Sequence, residues 1–300
     1  MRVLITGING LLGSNIARIF QERGHTVFGS GRQSKASVGA AGYFAGDLLQ
    51  SEVVSDLFEK TSPDAVIHCV GLADVNRCES DPGLADALNV QTAAGIAQEA
   101  ARCQCRLLHV STDHLFDGTR PLRTEAEPPT PLNEYARSKW RGEQAVVAAH
   151  PAAAVIRTSF YGWSPVGHAP TFAEWMHDSL AAQKAITLYT DLYFNAIEVS
   201  ALALALEEVL AADFSGVLNI ASSERASKYD FGRVMAEVFG FSLQHVTATT
   251  FKEDSLQVRR PHDLSLATTL FRQRFKSPLP TLKEGLMRLH AQRALHVAGR

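Results

Sequence analysis

The chain has 300 residues, 46% of them hydrophobic, with 29 basic side chains against 31 acidic ones and a formal net charge of -2. That length supports a substantial core in one large domain or two unequal ones. The near balance of charge leaves no broad basic surface for nucleic acid or an anionic membrane, so an anionic partner must meet a local site.

In chain order, Val3 to Thr6 reads as a buried strand and Leu11 to Arg23 as a helix, with Leu12, Ile16, Ile19 and Phe20 at helical spacing and Gly24 as the stop. Thr26 to Gly29 follows as a strand, Ser51 to Lys60 as a helix and Ala65 to Cys69 as a strand. The alternation continues through helix Gly83 to Arg102, strand Arg106 to Ser111, helix Leu132 to Ala149 and strand Ala153 to Arg157. Such a rhythm predicts an α/β fold, a doubly wound parallel sheet of the Rossmann type with helices on both faces. After Arg157 the rhythm breaks, apart from a helix-like run from Val199 to Leu210 and a strand-like Val217 to Ile220. Residues 1–157 and 196–221 are therefore expected to form a dinucleotide-binding domain, and 158–195 and 222–300 a smaller mixed α/β C-terminal substrate-binding cap.

No apolar run is long enough to span a bilayer, since even Val199 to Ala212 carries Glu207 and Glu208, and the first residues reach Gly7 too soon for a secretory signal. A soluble cytoplasmic protein is expected. Cys69, Cys78, Cys103 and Cys105 include no Cys-x-x-Cys pair and read as reduced structural thiols. No carboxylate or histidine cluster has metal-ligand spacing, so no metal-binding residue is named and a role for magnesium stays open.

The first strand feeds Thr6-Gly7-Ile8-Asn9-Gly10-Leu11-Leu12-Gly13 into a helix. Gly7 permits the tight turn, Gly10 lets backbone approach a pyrophosphate, and Gly13 lets the helix pack on the sheet. Asn9, Leu11 and Leu12 lie on the same turn, whose helix N-terminus faces the phosphates. An NAD-selective site would place an acid about twenty residues beyond the glycines, and no Asp or Glu occurs between Glu22 and Asp47. Gly29-Ser30-Gly31-Arg32 instead offers a hydroxyl and a guanidinium for a 2'-phosphate, with Lys35 adding charge, so NADP(H) is favoured over NAD(H).

Tyr135 and Lys139 stand four apart on one helix face. An ammonium there is expected to favour phenolate, improving Tyr135 as an acid, and to hold the nicotinamide ribose. Ser111 and Thr112 close a strand at the ligand edge of the sheet. Thr112, just past the strand end, is the one expected to bond a substrate carbonyl. Asp113 either binds a substrate hydroxyl or caps a turn, and His114 is expected to pack as a wall.

These segments, with Ser111 to Gly118, Pro131 to Lys139, Gly142-Glu143, Arg157-Thr158-Ser159 and Arg259-Arg260-Pro261, resemble the extended short-chain dehydrogenase/reductases, most closely the dTDP-4-dehydrorhamnose reductase branch. The resemblance implies a catalytic triad of Thr112, Tyr135 and Lys139. It implies that Asp47 and Leu48 flank the adenine, and that Gly71, Leu72 and Ala73 line the cofactor. It places Phe160 where the family usually has a Trp beside the substrate. The implied substrate is a nucleotide-linked sugar whose keto group is reduced, for a monomer or a homodimer.

Asp191-Leu192-Tyr193-Phe194-Asn195-Ala196 departs from the branch's usual Gly-Ala-Pro-Thr-like stretch, which leaves the particular sugar open. His114 stands where the related dehydratases carry a Glu, which argues against dehydration. Two rivals use the same motifs: an epimerase, and a noncatalytic NADP-binding regulator resembling the beta subunit of methionine adenosyltransferase. The cofactor expectation is checked by kcat/KM with NADPH and NADH, which should favour NADPH; equal values would overturn it.

Overall fold

The computed structural model describes residues 1–36, 38–165, 170–252 and 258–298; segments 166–169, 253–257 and 299–300 of the expected cap lie outside the described residues. The first half runs β1 (Arg2–Thr6), α1 (Leu11–Glu22), β2 (Thr26–Gly31), β3 (Gly42–Ala45), α2 (Ser51–Thr61), β4 (Ala65–His68), α3 (Val75–Ser80) and α4 (Pro82–Asp86). A π-helical turn at Ala87–Gln91 leads into α5 (Thr92–Arg102), β5 (Arg106–Val110), α6 (Glu134–Ala149) and β6 (Ala154–Arg157). The second half runs β7 (Phe160–Tyr161), α7 (Phe172–Ala181), β8 (Ile186–Tyr189), β9 (Tyr193–Phe194), β10 (Ile197–Glu198), α8 (Val199–Ala211) and β11 (Gly216–Asn219). Then come β12 (Ala226–Ser227), α9 (Lys228–Phe239), β13 (Val246–Thr249), α10 (Thr269–Arg274) and α11 (Leu282–Ala298).

Seven strands form one sheet in the order β3-β2-β1-β4-β5-β6-β11, and every neighbouring pair is parallel. The strands are short apolar runs because both faces are covered. On one face, Ile16 and Phe20 of α1 and Leu202, Leu206 and Val209 of α8 pack on Ile5, Ile67 and Val110. On the other, Val54 and Phe58 of α2, Ile96 and Ala97 of α5 and Val146 of α6 pack on Leu4, Val66 and Leu107. Burying side chains of this size stabilises by about 1.5–3 kcal/mol each. A separate core, with Trp163, Met176, Phe194, Phe231 and Leu286, holds the cap together.

Strand order reverses between β1 and β4, where chain leaves the sheet in opposite directions and opens a crevice at the carboxyl ends. Two differences from the expected elements matter there. The edge strand β3 follows a glycine- and alanine-rich stretch with little apolar pattern, and its four residues are intermediate or exposed. The expected single helix from Gly83 to Arg102 is broken by the π-turn, a device that occurs frequently at functional sites.

The bulge carries Asn89 against α6, and the contact is close: a Cβ on Gly142 would sit 2.2 Å from the Asn89 carbonyl oxygen. Gly142→Ala must therefore push the bulge away from α6. Urea denaturation should show a loss of about 1–3 kcal/mol, the usual range for overpacking; unchanged stability would mean that the two helices are not held at this distance.

Candidate active site

At the nucleotide end, Gly7 adopts φ 72°, and its amide and that of Ile8 donate to the Ser30 carbonyl at 2.9 and 3.2 Å. A Cβ on Gly13 would lie 2.4 Å from the Gly7 carbonyl oxygen, so glycine is required where α1 meets the turn. Gly10 is the N-cap of α1, with no side-chain cap and no acidic residue in the first turn. The helix thus presents open amides and a positive dipole end, which fits a pyrophosphate. Leu12 is buried in the core while Leu11 is half-buried, so from Leu12 it is the backbone that faces the turn.

Asn9 Nδ2 donates to Gln33 Oε1 at 2.9 Å, to the Lys35 carbonyl at 3.2 Å and to the Tyr43 hydroxyl at 3.3 Å. Asn9 thereby braces the loop after β2. In that loop Arg32 is exposed, whereas Ser30 is 2% exposed with its hydroxyl sealed off and unbonded. Ser30 offers its carbonyl to the glycine turn, and its hydroxyl is buried without a hydrogen-bond partner, whereas Arg32 is exposed. Asp47 is exposed and accepts from the Leu49 amide at 3.1 Å, while Leu48 is buried against the α2 side of the sheet.

Lys139 is 5% exposed, and its Nζ donates to the Val110 carbonyl at 2.8 Å. Gly71 lies alongside, where a Cβ would be 3.8 Å from Lys139 Nζ and 3.0 Å from Asn89 Oδ1. Asn89 clamps the next residue on both sides: Leu72 N–H donates to Oδ1 at 2.7 Å, and Nδ2 donates to the Leu72 carbonyl at 3.2 Å and to Ser138 Oγ at 2.9 Å. Gly71, Leu72 and Ala73 are thus held beside Lys139 at the end of β4. Asn89 had no local signal in the sequence, because its partners are 17 and 49 residues away.

Tyr135 is half-buried on the first turn of α6, which Asn133 caps by accepting from the Ala136 amide at 3.0 Å. Its hydroxyl lies near the side chain of Thr112, whose Oγ1 is 3.3 Å from Asp113 Oδ1 and accepts from the His114 amide at 3.2 Å. Burial pushes the Tyr135 phenol above its ordinary pKa, Thr112 opposes this, and the nearby Asp113 adds to it. Lys139, expected to supply a field that favours phenolate, is turned to the Val110 carbonyl. Burial also brings Lys139 itself down to about 8, against the pull of Glu143.

Ser111 is not at the crevice; it donates to Glu143, which accepts from Arg157 Nε at 3.1 Å and from its terminal nitrogen at 2.8 Å. Both members of this ion pair have side chains 5% exposed. Asp113 is buried, and burial raises its pKa. His114 meets the Tyr135 ring edge-on at 5.4 Å, and burial lowers its pKa, which suits a neutral packing wall. Phe160 is half-buried against the core of the sheet. The Arg259 carbonyl accepts from Asn133 Nδ2 at 2.9 Å, which docks the Arg-Arg-Pro loop beside the cap of α6. Among the described residues no group of three His, Cys, Asp or Glu side chains is placed to hold a metal ion, and no helix is long and apolar enough to cross a membrane.

The model of the family described as RmlD substrate binding domain matches residues 1–294. The chain belongs to that family. It is 31% identical over 294 residues to a probable low-salt glycan biosynthesis reductase, Agl14, of Haloferax volcanii, covering 97% of this chain and 98% of that protein. It is 31% identical over 261 residues to methionine adenosyltransferase 2 subunit beta of Xenopus tropicalis, covering 83% and 75% of the two chains. Its fold matches a dTDP-4-dehydrorhamnose reductase of Bacillus anthracis in complex with NADP, with a TM-score of 0.86, 23% identity and coverage of 97% and 99%. It also matches the Bordetella bronchiseptica enzyme WbmH in complex with NAD+, with a TM-score of 0.81, 20% identity and coverage of 97% and 98%.

RmlD-family membership makes the chain an NAD(P)H-dependent oxidoreductase of the extended short-chain dehydrogenase/reductase kind. The open N-terminus of α1, the braced loop after β2 and the Lys139–Gly71 corner fit such a cofactor. Beneath them, Glu143→Gln would leave Arg157 buried without a countercharge. Chemical denaturation should register a loss of about 3–5 kcal/mol; a loss under about 1 kcal/mol, the range of exposed pairs, would show that water screens the pair.

Proposed function

We propose that the protein reduces the keto group of a nucleotide-linked 4-keto-6-deoxysugar, using NADPH in preference to NADH. The observation that carries this reading is the convergence at the carboxyl end of β5 of Thr112, the Tyr135 phenol whose pKa it influences, and buried Lys139, whose Nζ donates to the Val110 carbonyl beside Gly71. The names of the Haloferax volcanii reductase and of a dTDP-4-dehydrorhamnose reductase from Mycolicibacterium smegmatis, 28% identical over 289 residues, support the substrate class. Exposed Arg32, and the absence of acids from 23 to 46, support the preference for a 2'-phosphate.

Bound NADPH supplies the hydride. Thr112 donates to the carbonyl oxygen and polarises it. Burial keeps Tyr135 protonated through neutral pH, so it stands ready to give its proton to the developing alkoxide. Lys139 holds the ribose with donors beyond the one on Val110, and its charge eases the phenolate left on Tyr135. Asn89, by fixing Leu72, sets the wall against which the cofactor lies.

The direct test follows nicotinamide absorbance with a panel of 4-keto sugar nucleotides and either cofactor. Substrate-dependent oxidation of NADPH is expected; tight NADPH binding with no ketone reduced would overturn the reading. Tyr135→Phe should lower kcat by about 10²–10⁴ while NADPH affinity is retained, and an undiminished rate would remove Tyr135 from its role. Since the Lys139 pKa is about 8 and its charged form binds the ribose, NADPH affinity should weaken as pH rises past about 8. Lys139→Arg should carry that limb upward; affinity that stays level to pH 10 in the unaltered chain would show that the ammonium makes no such contact.

A further inference from the structure

The glycine turn and the loop after β2 are joined by a clasp. Asn9, on the turn, is buried, and the hydrogens of its Nδ2 are shared among Gln33 Oε1 at 2.9 Å, the Lys35 carbonyl at 3.2 Å and the Tyr43 hydroxyl at 3.3 Å. The Tyr43 hydroxyl in turn donates to the Gln33 carbonyl at 2.7 Å, so Gln33 is held by its side chain from Asn9 and by its backbone from Tyr43. Tyr43 comes from β3, and its ring packs against the core on the α1 face of the sheet. Turn, loop and edge strand thus close one network.

Arg32 is enclosed by this network along the chain. Before it, Gly31 is paired with Ala45 in the sheet, and the Gly31 carbonyl accepts from the Gly46 amide at 3.1 Å. After it stands Gln33, held twice. A Cβ on Gly31 would lie 3.0 Å from the Tyr43 hydroxyl, so that hydroxyl also closes over the residue preceding Arg32. The backbone of Arg32 is fixed on both sides while its guanidinium reaches solvent.

The same bonds set the span between the two phosphate sites that NADPH requires. The open amides that suit the pyrophosphate begin at Gly10, one residue beyond Asn9, and the cations that suit the 2'-phosphate are on the strapped loop. A loop already held at the bound distance adds its whole charge-assisted contact to affinity, whereas a loose loop must first be ordered, which offsets part of the gain. NADH, which lacks that phosphate, gains far less from the loop. We propose that Tyr43 is a positioning residue for cofactor selection: its hydroxyl, bridging Asn9 and Gln33, holds Arg32 and Lys35 at the distance from the glycine turn at which a 2'-phosphate is met. The proposal rests on the NADPH preference proposed above and traces it to a residue outside the loop that makes the contact.

The test measures the Kd of NADPH and of NADH for the full chain by nicotinamide fluorescence, with no sugar present. Tyr43→Phe keeps the ring and leaves the Gln33 carbonyl, at the exposed end of the network, to water. It should raise the NADPH Kd by about 3–10-fold, the range of one neutral hydrogen bond, and hold the NADH Kd within about twofold. Gly31→Ala, which presses on the same hydroxyl from the other side, should shift the ratio in the same direction and serves if Tyr43→Phe does not fold. In an Arg32→Ala background Tyr43→Phe should lose most of its effect on NADPH, because the hydroxyl acts through the guanidinium. A role in packing alone would weaken both cofactors alike and persist undiminished without Arg32. Either result, or an NADPH Kd that does not move, overturns the proposal; equal affinity of the unaltered chain for the two cofactors removes the preference on which it rests.

Discussion

The positions of Tyr135 and Lys139 depend on the ion pair sealed beneath them. Glu143 lies one turn beyond Lys139 on α6, and Arg157 closes β6, so their bidentate contact ties the helix to the sheet at the level of the crevice. Ser111 joins from the end of β5, which fixes the next residue, Thr112, at the opening. A buried pair with this much hydrogen bonding gains little net stability over an apolar substitute. Its value here is placement: three elements must meet in one register before either charge is satisfied. The same carboxylate also sustains the ammonium of Lys139, which burial would otherwise weaken further.

The sheet was legible because strands covered on both faces are mostly apolar, and Val3 to Ile5, Ala65 to Ile67, Leu107-Leu108 and Ala154 to Ile156 form such runs within β1, β4, β5 and β6. The glycine turn and the Tyr135–Lys139 spacing were legible for a related reason: each is a local pattern whose geometry the following helix enforces. What could not be read depends on distant chain. β3 is an edge strand without an apolar pattern, and the π-turn at 87–91 keeps the periodicity of a helix while changing its register. Asn89 and Glu143, though they lie in segments that resemble the family, take on a role only when their partners on other elements are in place.

Two groups within the site show the reach of burial. The sequence shows which groups are near in number, but not how much water reaches them. Burial is the largest influence on the Tyr135 phenol, and the Ser30 hydroxyl, on the strand that continues the expected one, is shut inside. Burial governs the stacked pair His68 and His109 too, on facing positions of β4 and β5 with ring centres 5.4 Å apart. Burial and the nearby Lys139 bring His68 down to about 3 and lower His109 too, so two imidazoles stay neutral under a cationic floor.

The separation of the cores has a consequence for packing. Thr112, Tyr135, Lys139 and the glycine turn belong to the sheet half, whereas Phe194, Phe231 and Leu286 belong to a core of their own. A change inside that second core can therefore alter its surroundings without repacking the sheet that carries Tyr135 and Lys139.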